Sequence, residues 1–455
     1  MQKRLIDRAQ RATVMGAMAL VITACGAQDV LLEQQQPQII LPADAANSTG
    51  AVALYTGALG QLRSALGGGN NNQEQLWTFE GLFTDEFKSG DTFSQRNDAD
   101  QRATQTNDGV MAITYNVAQQ ARGRARDAIV ALRLYAPTET AKMGELYMMM
   151  GFMEMTLGQD FCNGIPLGET VAGVPAYTAP LTNAAVFTQA IARFDSALTL
   201  LTGTDAKSLS VKNAALVAKA RAQVNLAQFA AAATTVAAVP TSDSYLLTYS
   251  INTISNEWWQ MGTNVRRYTV SDSVDVTGIV KNALPFASAG DPRVRVNRQA
   301  SKSFDNITPF NEILNWGRED PIALTAGLDA RLIEAEARLQ ASDFAGMTAI
   351  LNALRAAPPK TGNVAPTAMT ALTAPATQDA AIDLYFREKA FWQFGRGERL
   401  SDLRRLVRQY GRTQDQAFPT GAFHKGGNYG TLTAFPVPDA EKSNPNFTGC
   451  LDGKA

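Results

Sequence analysis

The side chains in this sequence best suited to recognition chemistry are aromatic rings set among amides and acids. Trp77, Phe87, Trp258, Trp259, Tyr268 and Trp316 lie in polar, loop-like stretches. A sugar ring presents apolar C–H faces, so a protein binds it by stacking those faces on aromatic rings while Asn, Asp, Gln and Arg satisfy the hydroxyls. Asn256, Asp85 and Arg266 are the polar groups that could complete such a contact. Large aromatics are mostly buried, so each ring taken singly is more readily a core residue. Trp258–Trp259 is the strongest candidate pair, because adjacent side chains rarely point the same way and one of the two is expected at the surface.

No pattern for catalysis accompanies them. Glycoside hydrolysis needs two carboxylates across a cleft, one with a raised pKa, and Asp85 with Glu86 cannot provide this as sequence neighbours. Gly-x-Ser-x-Gly, His-Glu-x-x-His and phosphate-binding Gly loops do not occur. The single histidine, His424 in a Gly-rich loop, argues against a polyhistidine metal centre and a histidine-driven triad. Asn97-Asp-Ala-Asp100 is too short for a calcium loop, and Arg122, Arg124 and Arg126 read as a solvated helix face. Neither an enzyme, a metal nor a cofactor is expected.

The elements that would position these residues are helical hairpins. In Leu328–Leu339 the apolar Leu328, Leu332 and Leu339 recur at helical spacing, and after a break at 340–343 a second helix runs from Phe344 until Pro358-Pro359 stops it. A displacement of 115 residues lays an upstream copy on this one, with Ala220 on Ala335, Ala222 on Ala337, Phe229 on Phe344 and Ala230 on Ala345. Two hairpins of one size suggest a tetratricopeptide-like array, in which each unit buries its apolar face by stacking on a neighbour.

Further helices are expected over 46–66, 108–134, 141–157 and 184–201, and two more over 382–410 meeting near Gly395–Gly397. The methionines of 146–155 read as core. Between the hairpins, 241–327 loses the helical period and carries most of the aromatics; short strands are expected at 267–270 and 315–316. An insertion of this length on a helical scaffold is a usual place for function. The fold class is therefore all-α in the main. A scaffold at 108–240 and 328–410 carries irregular ligand-side segments at 67–107 and 241–327, followed by a C-terminal coil at 411–455.

Composition fits a globular chain: 455 residues, 45% hydrophobic, 18% charged. A net charge of −1 supplies no field for nucleic acid. Lys3, Arg4, Arg8 and Arg11 precede an apolar run, 12–24, too short to span a bilayer, which reads as an export signal. It ends in Ile22-Thr-Ala-Cys25, similar to a bacterial lipobox; residues 1–24 would be removed, Cys25 acylated, and 25–42 would tether a single domain, 43–455, outside the cytoplasm. An ordinary signal peptide with an incidental cysteine is the plainer alternative. In an oxidising compartment Cys162 and Cys450 are expected to pair, two free buried thiols being the other possibility.

The stretch Phe386–Arg405 resembles the SusD/RagB family of outer-membrane nutrient-uptake lipoproteins. Glu388, Gly397, Arg399, Asp402, Leu403 and Arg405 fit its pattern, while Lys389, Trp392 and Arg396 depart from it. The likeness continues in Thr84-Asp-Glu86, in Gly164-Ile-Pro-Leu167, in Ala335-Glu-Ala337 with Asn352 and Arg355, and in Phe435-Pro-Val-Pro438 with Glu441 and Asn444-Pro-Asn446. The resemblance implies a mostly helical, SusD-like fold with a less regular half that holds the ligand. It also implies a surface lipoprotein that captures an oligosaccharide or other nutrient for a SusC-like TonB-dependent transporter. The Arg399, Asp402 and Arg405 set, near one helix face, reads as a structural ion-pair network. The other reading of the hairpins is a lipid-anchored tetratricopeptide-type scaffold that binds proteins.

Overall fold

The computed structural model describes residues 46–69, 74–171 and 174–454. The export signal, the tether and Cys25 lie outside the described residues.

Helices begin where a short polar side chain can satisfy the free N–H groups of the first turn. Asn47 accepts from the Gly50 N–H at the start of α1 (Ser48–Leu66), and the short α2 (Leu76–Phe83) and α3 (Ser94–Asp100) follow. Asp108 caps α4 (Gly109–Tyr135), α5 (Thr140–Asp160) comes next, and Thr182 caps α6 (Asn183–Leu200). Asp205 caps α7 (Ala206–Asn225), which turns into α8 (Phe229–Val236). After the irregular segment come α9 (Gly327–Gln340) and the Asp343-capped α10 (Phe344–Ala356), then the Thr377-capped α11 (Gln378–Trp392) and α12 (Arg399–Tyr410).

Each long helix packs on the next in an array running α1, α4, α5, α6, α7, α8, α9, α10, with α11 also against α9. The 115-residue repeat is exact in the backbone: α7 ends at Asn225 and α9 at Gln340, Ala227 and Ser342 both turn the chain at φ 58°, and α8 and α10 start at Phe229 and Phe344. Ala220 and Ala335 are fully buried. Val217, Ala220, Val224, Ala232, Val236, Ala330 and Ile333 form the seam between the two hairpins. The inner helix α5 is buried almost all round, and Met148, Met149, Met150, Met153 and Met155 fill core space.

Strands are short and pair in twos. Phe87–Ser89 lies antiparallel to Tyr268–Val270, Val296–Lys302 to Pro309–Ile313, and Ser244–Leu247 to Ile322–Ala326. The strand expected near 267–270 is present; Asn315 and Trp316 are coil, because the Asn315 side chain is taken up by the Arg293 carbonyl and the Arg295 N–H. The fold is mainly helical with small β additions, as the sequence predicted.

Cys162 and Cys450 form a disulfide, Cα atoms 6.0 Å apart, across 288 residues of chain. It pins the C-terminal coil to the end of α5, beside the Asn163–Asp452 bridge. Because a cross-link of this span removes much of the freedom of the unfolded chain, Cys450→Ala is expected to cost about 2–4 kcal/mol of stability. Thermal melts with and without reductant check this, and the reduced wild type should match the variant.

Candidate functional site

The structure places most of the sequence-predicted ligand residues in the core. Trp77, Phe87, Trp258 and Tyr268 have no exposed surface, and Trp316 is buried as well. Phe87 stacks on Trp258 at 4.1 Å between centroids, and Trp258 on Trp316 at 6.3 Å. No ring face is left for a sugar. The polar neighbours that suggested a surface loop are themselves buried and committed. Asp85 accepts both Arg399 nitrogens, at 2.6 and 2.9 Å, and the Leu284 N–H. Asn256 bonds the Asp320 carbonyl and the Trp259 N–H, and Tyr268 donates to Glu74 at 2.6 Å. Polar context therefore marked a buried polar network rather than solvent. Of the nine, Trp259 and Arg266 keep access to water, Trp259 half-buried beside the Arg318 guanidinium.

What this aromatic column supports is the loop between α11 and α12. The Trp258 indole donates to the Gly395 carbonyl at 2.8 Å, and the Gly395 N–H donates to Glu86 at 3.0 Å. Gly397 sits at φ +66°, and a Cβ there would lie 1.9 Å from Trp77, so this position excludes every side chain. The loop launches α12 with its charges inward: Arg399 to Asp85, Arg405 to Glu336 and Asp402, Asp402 to Lys389, and, just before it, Arg396 to Asp329. The ion-pair network expected on α12 is present, and Asp85 belongs to it.

The accessible chemistry lies elsewhere in the irregular half, around the turn 303–308. Phe304 is 42% exposed, Ile307 70% and Phe93 44%. The Arg267 guanidinium lies 4.1 Å from the Phe304 ring centre and that of Arg96 lies 5.6 Å from the Phe93 ring centre. Both guanidiniums converge on Asp91, Arg267 at 2.7 and 2.9 Å and Arg96 at 2.5 Å. One carboxylate thus fixes two arginines, and each arginine braces one exposed ring. Burial alone would raise the Asp91 carboxyl, but the bonds from Arg267 and Arg96 outweigh it and hold it below the ordinary range.

The turn itself is tied down. Asp305 accepts from the Ile307 and Thr308 N–H groups and from Lys425, and Lys425 also reaches the Asp91 carbonyl. Burial opposes it, but the bonds from Lys425 and Thr308 bring Asp305 down to about 2. The Phe304 N–H donates to the carbonyl of Arg266, an exposed residue at φ 54°. Arg266 is therefore the sequence-predicted residue that borders this surface. Next to Ile307, a cavity of about 280 Å³ opens between Thr308, Pro309, Asn311, Val274, Val276 and Arg298, with the Lys88–Asp275 ion pair and His424 in its wall. His424 is buried, its Nε2 2.9 Å from Asp100. Among the described residues no group of three or more His, Cys, Asp or Glu could hold a metal ion.

Phe93, Phe304 and Ile307 are absent from the sequence-predicted residues, whose rings are Trp and Tyr apart from Phe87. The usable signal was Ser303-Phe-Asp-Asn-Ile-Thr308, two apolar side chains in a turn whose Asp binds its own backbone.

No family model and no curated protein sequence matches this chain. Solved structures do. A SusD superfamily protein from Bacteroides vulgatus is 14% identical, with 90% of this chain and 99% of that one covered at a TM-score of 0.61. A SusD-like carbohydrate-binding protein from Bacteroides fragilis is 12% identical over 88% and 99%, TM-score 0.64. A SusD/RagB family protein from Bacteroides thetaiotaomicron is 12% identical over 87% and 94%, TM-score 0.60. At such identities the likeness shows the fold.

Proposed function

We propose that this chain, which has the SusD/RagB fold, is a surface lipoprotein anchored through acylated Cys25 that captures an oligosaccharide for a SusC-like TonB-dependent outer-membrane transporter. No helix among the described residues is long and apolar enough to cross a membrane. The observation that carries the binding function is the pair of exposed rings, Phe93 and Phe304, braced by two arginines on one carboxylate in the irregular half. Rings held rigid lose little freedom when a sugar stacks on them, and Arg266 and Arg298 offer donors to its hydroxyls. The Bacteroides fragilis comparison protein, whose name mentions carbohydrate binding, shares this fold.

Glycan-array screening followed by calorimetry on the mature chain tests this. Phe304→Ala is expected to weaken binding of the best oligosaccharide about tenfold, the loss of a stacking contact of roughly 1.5 kcal/mol. Its melting temperature should change little, since the ring is 42% exposed and fills no core space. An unaltered affinity would remove this surface as the binding site. Purification of the acylated protein from outer membranes should bring the barrel partner with it; a mature protein without an acyl group would overturn the anchoring.

A further inference from the structure

We infer that the groove along the middle of α4 is a second binding site for a neutral oligosaccharide, sharing no residue with the Phe93–Phe304 surface. It encloses about 490 Å³, within the range of small-ligand sites. Its floor is one stripe of α4, with Asn116, Gln120, Gly123, Arg124 and Asp127 following each other at helical spacing. The opposite wall is the hairpin Glu169–Val171 with Val174–Ala176, continued by Tyr177, and the turn Asp439–Ser443 closes one side.

Three observations point to a ligand. First, Asn116, Gln120 and Arg124 are exposed in the groove, and among the described residues none of their side chains has a hydrogen bond or ion pair. Their neighbours on the same helix are fully engaged. Gln119 donates to the Tyr115 hydroxyl and the Pro166 carbonyl, and Arg122, expected from sequence on a solvated face, is buried and donates to Gln119 and to the Gly168 carbonyl. The free groups thus stand on a fixed wall.

Second, Gly123 lies in the interior of a 27-residue helix, where glycine is unfavourable relative to alanine. A Cβ there would meet nothing within 4 Å, so no neighbouring element demands the glycine. What its missing side chain leaves is the open floor of the groove. Third, Tyr177 is 47% exposed at the groove's edge, its carbonyl held by Asn446.

A ring for stacking together with unengaged amides, a guanidinium and carboxylates suits hydroxyl groups, which both donate and accept. Arg122, Arg124 and Arg126 are offset by Asp127, Glu169 and Glu441, so the groove has no single-signed field for a charged ligand. The ligand class rests on the saccharide reading proposed above.

Calorimetric titration of the full chain with maltohexaose, cellohexaose, mannohexaose and xylohexaose, on the wild type and on Gly123→Leu, Tyr177→Ala and Phe304→Ala, tests this. Gly123→Leu fills the floor and favours the helix, so its melting temperature should stay or rise while one of two binding events weakens at least tenfold. Tyr177→Ala should weaken the same event, and Phe304→Ala the other. A single event that Phe304→Ala weakens and Gly123→Leu leaves alone overturns the groove and keeps the function. If none of the four sugars binds the wild type, both readings fall.

Discussion

Asp85→Ala is expected to destabilise the fold by about 3–5 kcal/mol, the penalty for leaving one partner of a buried ion pair uncompensated. Asp85 has no exposed side-chain surface and Arg399 little, and they meet through two nitrogens at 2.6 and 2.9 Å. Removing the carboxylate strands the Arg399 guanidinium in the core and frees the Leu284 N–H as well. Arg399→Met should be costly for the same reason, since it leaves Asp85 charged and buried. The double variant should recover part of the loss, because the two changes delete a single interaction. Chemical denaturation of the wild type, both single variants and the double variant measures this. Were Asp85 instead a ligand residue, Asp85→Ala would abolish saccharide binding with stability intact.

Asp85 also shows how much of the molecule was legible in the sequence. The long helices were, because their apolar period and caps are local properties; the short α2 and α3 were not, since they lie in the segment 67–107 that reads as irregular. The hairpin repeat was too, and the structure adds matching left-handed turns at Ala227 and Ser342. The SusD-like pattern was legible for a physical reason: Asp85, Glu86, Gly397, Arg399, Asp402 and Arg405 meet in one buried assembly whose parts constrain each other's identity. The ligand surface was not. A tryptophan among Asn, Asp and Glu looks the same in sequence whether those polar groups face water or, like Asn256 and Asp85, backbone and arginine. Deciding between the two requires contacts between segments far apart in the chain, such as Trp258 with Gly395. Trp259 is the instructive half-success: one member of the pair does reach the surface, as alternation of side chains requires.

The same assembly makes stability depend on pH, and Glu86→Gln is expected to remove part of that dependence. Burial without an ion-pair partner pushes the Glu86 carboxyl up to about 8, against the bond from the Gly395 N–H and with repulsion from Asp85 added. Burial likewise raises Glu398 to about 7 despite Arg221 and Lys389. A carboxyl with a raised pKa in the folded state is neutral there and ionised in the unfolded chain. Its contribution is therefore complete below about pH 4.5 and is lost as pH climbs to about 8, beyond which both states are charged and nothing more changes. At about 1.4 kcal/mol for each unit, Glu86 alone accounts for a loss on the order of 5 kcal/mol across that window. Glutamine keeps the oxygen that accepts from Gly395 and cannot ionise. Between pH 5 and pH 9 the denaturation midpoint should thus fall more for the wild type than for Glu86→Gln, with the variant the more stable protein at pH 9. Equal slopes for the two proteins would show that Glu86 is already ionised in the fold, and the core around Gly395 would have to hold a charge it offers no partner.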